Sequence, residues 1–352
     1  MQPVPLERHG QPVEERRYAP RQSNPANQVD VAKVECKGLP GQGLARNAGR
    51  VLEARPDRIA TGLALRLFAI ACMSTMSALI KMSELRGASL IETMFHRQLW
   101  AVPLVTLWVA MGPGLQSLKT QRFGAHVWRT AVGLTGMIFT FGAVILLPLA
   151  EAQTFQFTVP IFATLLGALI LGEPTGWHRW GAVIIGFVGV LIVVQPGQEA
   201  IPIFGAFVGL MAALFVAIVA ITLRQIGRTE SAGTTVFWFS ALSVPVLGAI
   251  YAFHYKPHDA ETWAILIATG LVGGVGQLAL TGAMRFAPVS TVVPMDYSGL
   301  IWATLYGWLL FNVFPSFSTW LGAPVIIASG LYIVYREHKL ARGQASYAES
   351  QL

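Results

Sequence analysis

The sequence predicts an all-α membrane protein with ten transmembrane helices. The 352-residue chain is 54% hydrophobic and only 12% charged, and apolar runs fill most of positions 61–335. A helix needs about 20 apolar residues to cross a bilayer, and most of these runs reach that length. Lysine and arginine residues fall mainly in alternate connections between the runs, as expected for cytoplasmic loops. Lipid is therefore the predicted solvent for most of the chain.

The ten predicted crossings follow one another with short connections. Pro148 alone separates the third crossing from the fourth. The crossings cover residues 61–80, 89–111, 127–147, 149–171, 178–194, 201–223, 234–253, 262–284, 289–311 and 319–335.

The basic residues predict that both termini are cytoplasmic. With the N-terminus inside, the opposite side of the membrane receives only Lys81, Arg86 and Lys256. An even number of crossings also returns the basic cluster after residue 335 to the cytoplasm, which agrees with the positive-inside rule.

The two ends of the chain lack the apolar runs of the middle. Residues 1–58 are rich in proline, glutamine and mixed charge, which predicts a disordered cytoplasmic tail. Residues 338–352 form a short polar cytoplasmic tail. The two cysteines, Cys36 and Cys72, provide neither a disulfide framework nor a zinc-site spacing. No metal, cofactor or nucleic-acid partner is predicted, and the net charge of +7 is attributed to the cytoplasmic loops.

The second half of the sequence repeats the first. Phe162-Ala-Thr-Leu-Leu-Gly167 matches Trp302-Ala-Thr-Leu-Tyr-Gly307, and Pro148 matches Pro288, both at an offset of 140. Each half contains five crossings, an odd number, so the second half runs through the membrane in the opposite direction. Inverted repeats are typical of secondary carriers, whose binding sites lie between the repeats near the midplane.

The repeated residues also resemble a known family. Pro148-x-x-Glu-Ala, Leu169-Ile-Leu-Gly-Glu173-Pro174 and Pro294-Met-Asp-Tyr297 resemble the EamA domain of the drug/metabolite transporter superfamily. The resemblance implies two EamA repeats, at 59–197 and 198–337, with the fifth and tenth crossings at the periphery. The second repeat has Asn312 and Val313 where the first has Gly172 and Glu173, so a transport role for a glutamate in both repeats is not supported.

Ionisable residues inside the second crossing are candidate functional groups. Glu92, His96 and Arg97 lie within an apolar run, and a charge in lipid costs about 2.5 kcal/mol or more on insertion scales. Arg97 is predicted to pair with a substrate carboxylate or phosphate, and His96 or Glu92 to carry a coupling proton. The alternative is an internal Glu–Arg pair that holds helices together.

The fourth and ninth crossings supply the remaining candidates. Asp296 is predicted to bind a cation or ammonium group, and its repeat-related counterpart is Gln156, with Gln153 nearby; the alternative is a polar contact between helices. Pro160 and Pro294 are predicted to interrupt these two helices. Tyr297 and Trp302 are candidate aromatic contacts for a substrate. Two acidic residues are predicted to lack a transport role: Glu151, as a shallow hydrated group, and Glu173, as a helix-start residue.

These features predict a secondary-active transporter, not an enzyme. Its expected substrate is a small polar or amphipathic metabolite such as an amino acid, a cofactor or a nucleoside-like compound, moved across the bacterial inner membrane by alternating access. Its expected partners are that substrate, a coupling proton and membrane lipid. One alternative is an uptake carrier for S-adenosylmethionine or a riboflavin-like cofactor. Another is an intramembrane lipid-linked transferase, although no metal-binding or nucleophile motif supports it. The chain also lacks a selectivity-filter loop and a P-loop.

Overall fold

The computed structural model describes residues 56–169, 177–195, 201–227, 229–286 and 293–349. Every regular element within these ranges is helical. The α-helices are α1 (Pro56–Leu85), α2 (Leu90–Met111), α3 (Phe123–Leu146), α4 (Leu149–Gln156), α5 (Val159–Leu169), α6 (Trp177–Val194), α7 (Ile203–Ile226), α8 (Ala232–Ala252), α9 (Ala260–Phe286), α10 (Gly299–Phe311) and α11 (Phe317–Glu349). Short 3-10 helices cover Leu115–Leu118 and Val293–Ser298.

Seven helical stretches in the described ranges are long and apolar enough to span a membrane. They are Ala60–Leu85, Phe123–Leu146, Leu149–Leu169, Ile203–Leu223, Gly233–Ala252, Ala260–Ala283 and Phe317–Arg336. Three further predicted crossings also correspond to helices. Of these, α2 carries the charged cluster, α6 is shorter, and α10 has only 13 residues after its 3-10 segment.

Polar side chains define several helix starts. Ser89 and Glu92 form a reciprocal capping box at the start of α2. The Ser231 hydroxyl accepts a hydrogen bond from the Thr234 backbone N–H at the start of α8. Before α9, the Asp259 carboxylate accepts a bond of 3.2 Å from the Thr262 N–H. Hydrogen bonding from Thr262 lowers the pKa of Asp259, because it favours the ionised form.

The fourth crossing is an interrupted helix, and the described part of the ninth crossing begins with a 3-10 segment. α4 ends at Gln156 and α5 begins at Val159, immediately before Pro160. In the ninth crossing, the 3-10 segment containing Pro294 precedes α10. Proline removes a backbone donor and clashes with the preceding turn, which accounts for the break before Pro160.

The helices pack in pairs, and the internal repeat relates these pairs to one another. α1 packs most extensively on α9, and the repeat-related pair is α7 on α3, which is also extensive. The pairs α2–α8 and α6–α11 each join one helix to its own counterpart. Pro103 inside α2 is matched by Pro245 inside α8. The two repeats are thus interleaved.

The α6–α11 pair is in close backbone contact at two glycines. A Cβ atom at Gly189 would lie 2.8 Å from Ile326 Cγ1, and one at Gly322 would lie 2.6 Å from the Gly189 carbonyl oxygen. Small residues allow such close approach between helices in lipid. Large exposed apolar side chains cover the outer faces, as a lipid-exposed surface requires; examples are Phe68, Trp128, Ile184, Phe204 and Ile301.

Parts of the predicted organisation fall outside the described ranges. The predicted N-terminal tail lies there up to residue 55, as do Glu173 and Pro174. The predicted C-terminal tail is described as far as Glu349, where it continues α11.

Candidate substrate-binding site

Arg97 on α2 is a buried cation that no carboxylate in the described ranges neutralises. The residue is 8% exposed, and its Nη1 donates to the Gln98 Oε1 at 2.6 Å. Its Nε has no hydrogen-bond partner among the described residues. Gln98 also accepts a bond from Ser240 on α8, so Arg97 belongs to a polar contact between α2 and α8.

Arg129 on α3 is a second buried cation without a neutralising carboxylate among the described residues. It is 8% exposed, and its guanidinium carbon lies 4.3 Å from the centre of the Phe239 ring on α8. Its Nε and Nη1 have no hydrogen-bond partner in the described part of the chain. Arg129 also lies close enough to Arg97 to feel its positive charge.

The position of the Arg129 side chain depends on Gly133, one turn further along α3. A Cβ atom at Gly133 would collide with Arg129 Nη1 and would lie 2.7 Å from Phe239 Cε2. The absence of a side chain at Gly133 therefore leaves room for the guanidinium group, which points along α3 away from its N-terminal end.

Two unneutralised guanidinium groups are costly in a protein interior. Each has a desolvation penalty of several kcal/mol unless an anion compensates it, and their mutual repulsion adds to that cost. Guanidinium forks match the geometry of carboxylate and phosphate oxygens. Arg97 and Arg129 therefore each have the chemistry to bind an anionic group.

Glu92 does not neutralise Arg97, so the predicted alternative of an internal Glu–Arg pair is wrong. The Glu92 side chain is fully buried and accepts bonds from His258 Nε2 at 2.8 Å and Tyr251 OH at 3.1 Å. It also accepts a bond of 3.4 Å from the Ser89 backbone N–H, which caps its own helix. These contacts fasten the start of α2 to α8 and to the connection before α9.

His96 lies beside this acidic group. Its Nδ1 is 3.0 Å from the Glu92 carbonyl oxygen. Its ring makes edge contacts with Phe95, Tyr251 and Trp263, at centroid distances of 5.2, 5.4 and 5.1 Å. The imidazole is thus held inside an aromatic cluster next to the Glu92–His258 pair.

Asp296 forms a two-pronged ion pair with Arg66 on α1. Arg66 Nε donates to Oδ1 at 2.6 Å, and Arg66 Nη2 donates to Oδ2 at 2.5 Å. The Arg66 side chain is 10% exposed and the Asp296 side chain 38% exposed. The cation predicted for Asp296 is therefore supplied, in this conformation, by the protein itself.

The other candidates of the fourth and ninth crossings contact different parts of the structure. A Cβ atom at Gly299 would lie 2.8 Å from Gln153 Nε2, so the Gln153 amide covers the start of α10. Gln156 is half-buried at the end of α4. Tyr297 contacts the Phe157 ring at 5.0 Å, and its hydroxyl lies against Gly330 of α11.

Trp302 belongs to an aromatic pair on α10. Its ring is stacked on Tyr306 with a centroid distance of 6.3 Å. The Tyr306 hydroxyl in turn lies 2.7 Å from Thr75 Oγ1 on α1. α1 thus carries two polar contacts to the ninth crossing, Arg66–Asp296 and Thr75–Tyr306, about 14 Å apart along the helix at 1.5 Å per residue.

The eight candidates therefore do not form one cluster. Glu92 and His96 belong to the group at the start of α2, Arg97 to the guanidinium pair, and Asp296 to the ion pair with Arg66. Gln153 lies against the start of α10, and Gln156 lies at the end of α4. Tyr297 points towards α11, and Trp302 lies further along α10. A cavity of about 140 Å³ lies beside Lys81, Pro148 and Gly307, and none of the eight lines it.

The prediction that Glu151 is shallow and hydrated is wrong. The residue is 2% exposed, and its Oε1 accepts bonds from the Ser316 N–H at 3.0 Å and the Thr319 hydroxyl at 3.1 Å. It therefore caps the start of α11. The partial positive charge of a helix N-terminus favours a carboxylate at this position.

Two charged residues of the site were not among the sequence candidates. Arg66 and Arg129 both lie within apolar runs, where the rule that selected Arg97 also applies. Each is within five residues of a predicted cytoplasmic end, which makes it resemble an ordinary loop cation. The burial of both side chains is visible only in the folded chain.

Both halves of the chain match the sequence model of the EamA-like transporter family, over residues 60–195 and 203–336. The chain belongs to this family. A riboflavin transporter of Vibrio cholerae is 30% identical over 66% of this chain and 78% of its own length. A pseudopaline exporter of Pseudomonas aeruginosa is 26% identical over 78% of this chain and 95% of its own. An S-adenosylmethionine uptake transporter of Rickettsia bellii is 29% identical over 64% of this chain and 77% of its own.

A solved crystal structure shares the fold of this EamA protein. It aligns with a TM-score of 0.56 at 17% identity and covers 80% of this chain and 99% of its own. The family, the apolar spans and the bacterial relatives together identify a multi-pass transport protein of the inner membrane. They point to transporters of small metabolites and away from enzymes.

Proposed function

We propose that this protein is a secondary-active carrier for a small metabolite that bears a carboxylate or phosphate group. The observation that carries the proposal is the pair of buried guanidinium groups, Arg97 and Arg129, which no carboxylate of the described residues neutralises. An ionisable group inside a membrane domain is by default a functional candidate. The anionic group of the substrate would supply the missing countercharge.

The proposed topology has ten crossings with both termini in the cytoplasm. The ten helical segments, counting α4 with α5 and the second 3-10 segment with α10, support the count. The excess of basic residues on alternate connections supports the orientation. Each repeat then has five crossings, and the second repeat runs through the membrane in the direction opposite to the first. In alternating access, the contacts of one repeat would be exchanged for the equivalent contacts of the other.

A planar cofactor is the second candidate substrate. The names of the relatives include riboflavin and S-adenosylmethionine carriers, and the stacked Trp302–Tyr306 pair offers an aromatic surface. Aromatic side chains contribute large apolar contact areas with defined stacking geometry. Under this alternative, Gln153, Gln156, Asp296 and Tyr297 would contribute the polar contacts around the ring.

The coupling ion is proposed to be a proton carried by the group at the start of α2. Glu92 and His258 share a hydrogen bond of 2.8 Å, and His96 lies one turn along the same helix. Uptake driven by an imposed pH gradient in proteoliposomes should be lost in Glu92→Gln and kept in Lys256→Gln, which alters an exposed loop residue. Equal gradient dependence in both variants would contradict proton coupling through Glu92.

Ligand-induced thermal stabilisation of the purified protein tests the substrate class. The probes are glutamate, succinate, flavin mononucleotide, riboflavin and S-adenosylmethionine. A ligand at 100 times its Kd stabilises the folded state by about 2.7 kcal/mol. An anionic probe should raise the Tm of the wild type and of Arg86→Ala, and should fail to do so in Arg97→Ala and Arg129→Ala.

The outcomes separate the candidates. Stabilisation by riboflavin that survives both arginine substitutions would favour the planar cofactor. Stabilisation by an anionic probe that survives both would overturn the assignment of Arg97 and Arg129. Direct uptake of the stabilising probe into proteoliposomes would then establish transport.

A further inference from the structure

Three groups able to carry positive charge lie along one face of α3, from its cytoplasmic end inwards. Arg122 precedes the helix, His126 is four residues further, and Arg129 follows three residues later. Spacings of three and four place side chains on the same helix face. At 1.5 Å per residue, the three positions span about 10 Å of depth.

His126 is the unexplained member of this series. It is 1% exposed, and neither of its ring nitrogens has a hydrogen-bond partner among the described residues. A buried polar group without a partner costs about 1–3 kcal/mol. Its ring lies 6.2 Å from that of Trp238 on α8, and Glu230 is the acidic group near enough to influence it.

The face of α3 that carries these groups is covered by α8 and by the connection between α2 and α3. Trp238 Nε1 donates to the Leu118 carbonyl at 2.9 Å. Thr234 donates to the Ser117 carbonyl at 2.7 Å, and Thr120 donates to Glu230 at 2.8 Å. These hydrogen bonds close the cytoplasmic end above His126 without using its nitrogens.

We propose that Arg122, His126 and Arg129 are successive contact points for the anionic group of the solute on its way between the cytoplasm and Arg97. This inference rests on the proposed function, because it assumes that the solute carries a carboxylate or phosphate. The exposed Arg122 at the cytoplasmic end of the path attracts the anion. His126 and Arg129, further along the path, then replace part of the water that hydrates the anion. The path runs between α3 and α8, and Trp238 closes it in the conformation described here.

Charge-selective modification of a cysteine at position 126 tests the path without knowledge of the solute. The background carries Cys36→Ser and Cys72→Ser, and His126→Cys is introduced into inverted membrane vesicles, which expose the cytoplasmic face. The probes are an anionic sulfonatoethyl and a cationic trimethylammonioethyl methanethiosulfonate. Fixed positive charge raises the local concentration of anions about tenfold or more. With each rate divided by that of the same reagent with a small free thiol, the anionic reagent should therefore react at least about tenfold faster than the cationic one.

Gly124→Cys is the matched control. Gly124 is exposed near the start of α3, and a Cβ atom there meets no other atom within 4 Å. Positions 124 and 126 are two residues apart, which places their side chains on different sides of the helix. The preference for the anionic reagent should therefore be much smaller at position 124. Trp238→Phe, which removes the bond to Leu118, should speed modification of His126→Cys by both reagents. If His126→Cys does not fold, Thr130→Cys, one turn deeper, replaces it.

The results distinguish the path from the binding site. Equal normalised rates for the two reagents at position 126 would overturn the path, as would an unreactive position 126 under conditions that modify Gly124→Cys. Either result leaves the arginine pair intact, because that assignment depends on probe-induced stabilisation in Arg97→Ala and Arg129→Ala.

Discussion

At the scale of single residues, sequence alone predicts which side chains are unusual but not which of them meet. The rule that a charge in an apolar run needs an explanation selects Arg97 directly, and applies equally to Arg66 and Arg129. It does not reveal that Asp296 is paired with Arg66, 230 positions away in sequence. Such pairings depend on how α1 and the ninth crossing pack, which no local pattern specifies.

Replacing one partner of the Arg66–Asp296 pair should destabilise the protein more than replacing both. Arg66→Met leaves a carboxylate next to apolar helices, and Asp296→Leu leaves a guanidinium that is 10% exposed without its partner. Because Asp296 is partly solvated, we expect each single change to cost about 1–3 kcal/mol, below the range for fully buried pairs. The double variant Arg66→Met/Asp296→Leu should recover part of that loss. Thermal unfolding in detergent measures the cycle, and strictly additive losses would argue against a direct coupling.

Gly133→Ala should impair anion binding while leaving the arginine residues in place. The added methyl group would occupy the space of Arg129 Nη1 and press on Phe239, so the guanidinium must move. We expect the Kd for an anionic probe to rise about tenfold, which corresponds to 1.4 kcal/mol. Gly124→Ala on the same helix provides the control, and an unchanged Kd in both would show that the Arg129 position is not critical.

At the scale of elements, sequence periodicity predicts the existence of the helices better than their ends. The proline positions predict the interruptions in the fourth and ninth crossings. The capping role of Glu151 could not be predicted, because its helix is α4 and the helix that it caps is α11. Acidic residues near a predicted membrane surface are normally hydrated, so only the buried contact with Ser316 and Thr319 changes that interpretation.

Lys81 should stabilise the end of α3. Its Nζ donates to the carbonyl oxygens of Val144, Ile145 and Leu147, at 3.2, 3.3 and 2.6 Å. These carbonyls lack partners in their own helix, and a cation also complements the negative end of the helix dipole. We expect Lys81→Met to cost about 1–2 kcal/mol of stability. The exposed Lys256→Met serves as the comparison in thermal unfolding, and equal Tm values for the two variants would contradict the capping role.

At the scale of the whole molecule, the repeats are interleaved, so neither should be stable by itself. The extensive α1–α9 and α3–α7 pairs each take one helix from each repeat. A single repeat would expose these faces and the glycine contacts of α6 or α11. A chain cut within 196–200 and expressed as two tagged halves should therefore assemble only when both are present. Co-purification and the cellular half-life of each half measure this, and a long-lived isolated half would contradict the interleaved packing.

Equivalent positions of the two repeats carry residues of different chemistry. α7, which is the counterpart of α1 in the second repeat, has no charged residue over 203–223, whereas α1 carries Arg66. Asp296 corresponds to Gln156 at the offset of 140. Identical halves would give the two orientations of an empty carrier the same energy, whereas a difference of about 1.4 kcal/mol makes one of them tenfold more populated. Under the proposed alternating-access mechanism, the divergence of the two halves therefore favours one resting orientation, and with it one side for capturing the first solute molecule.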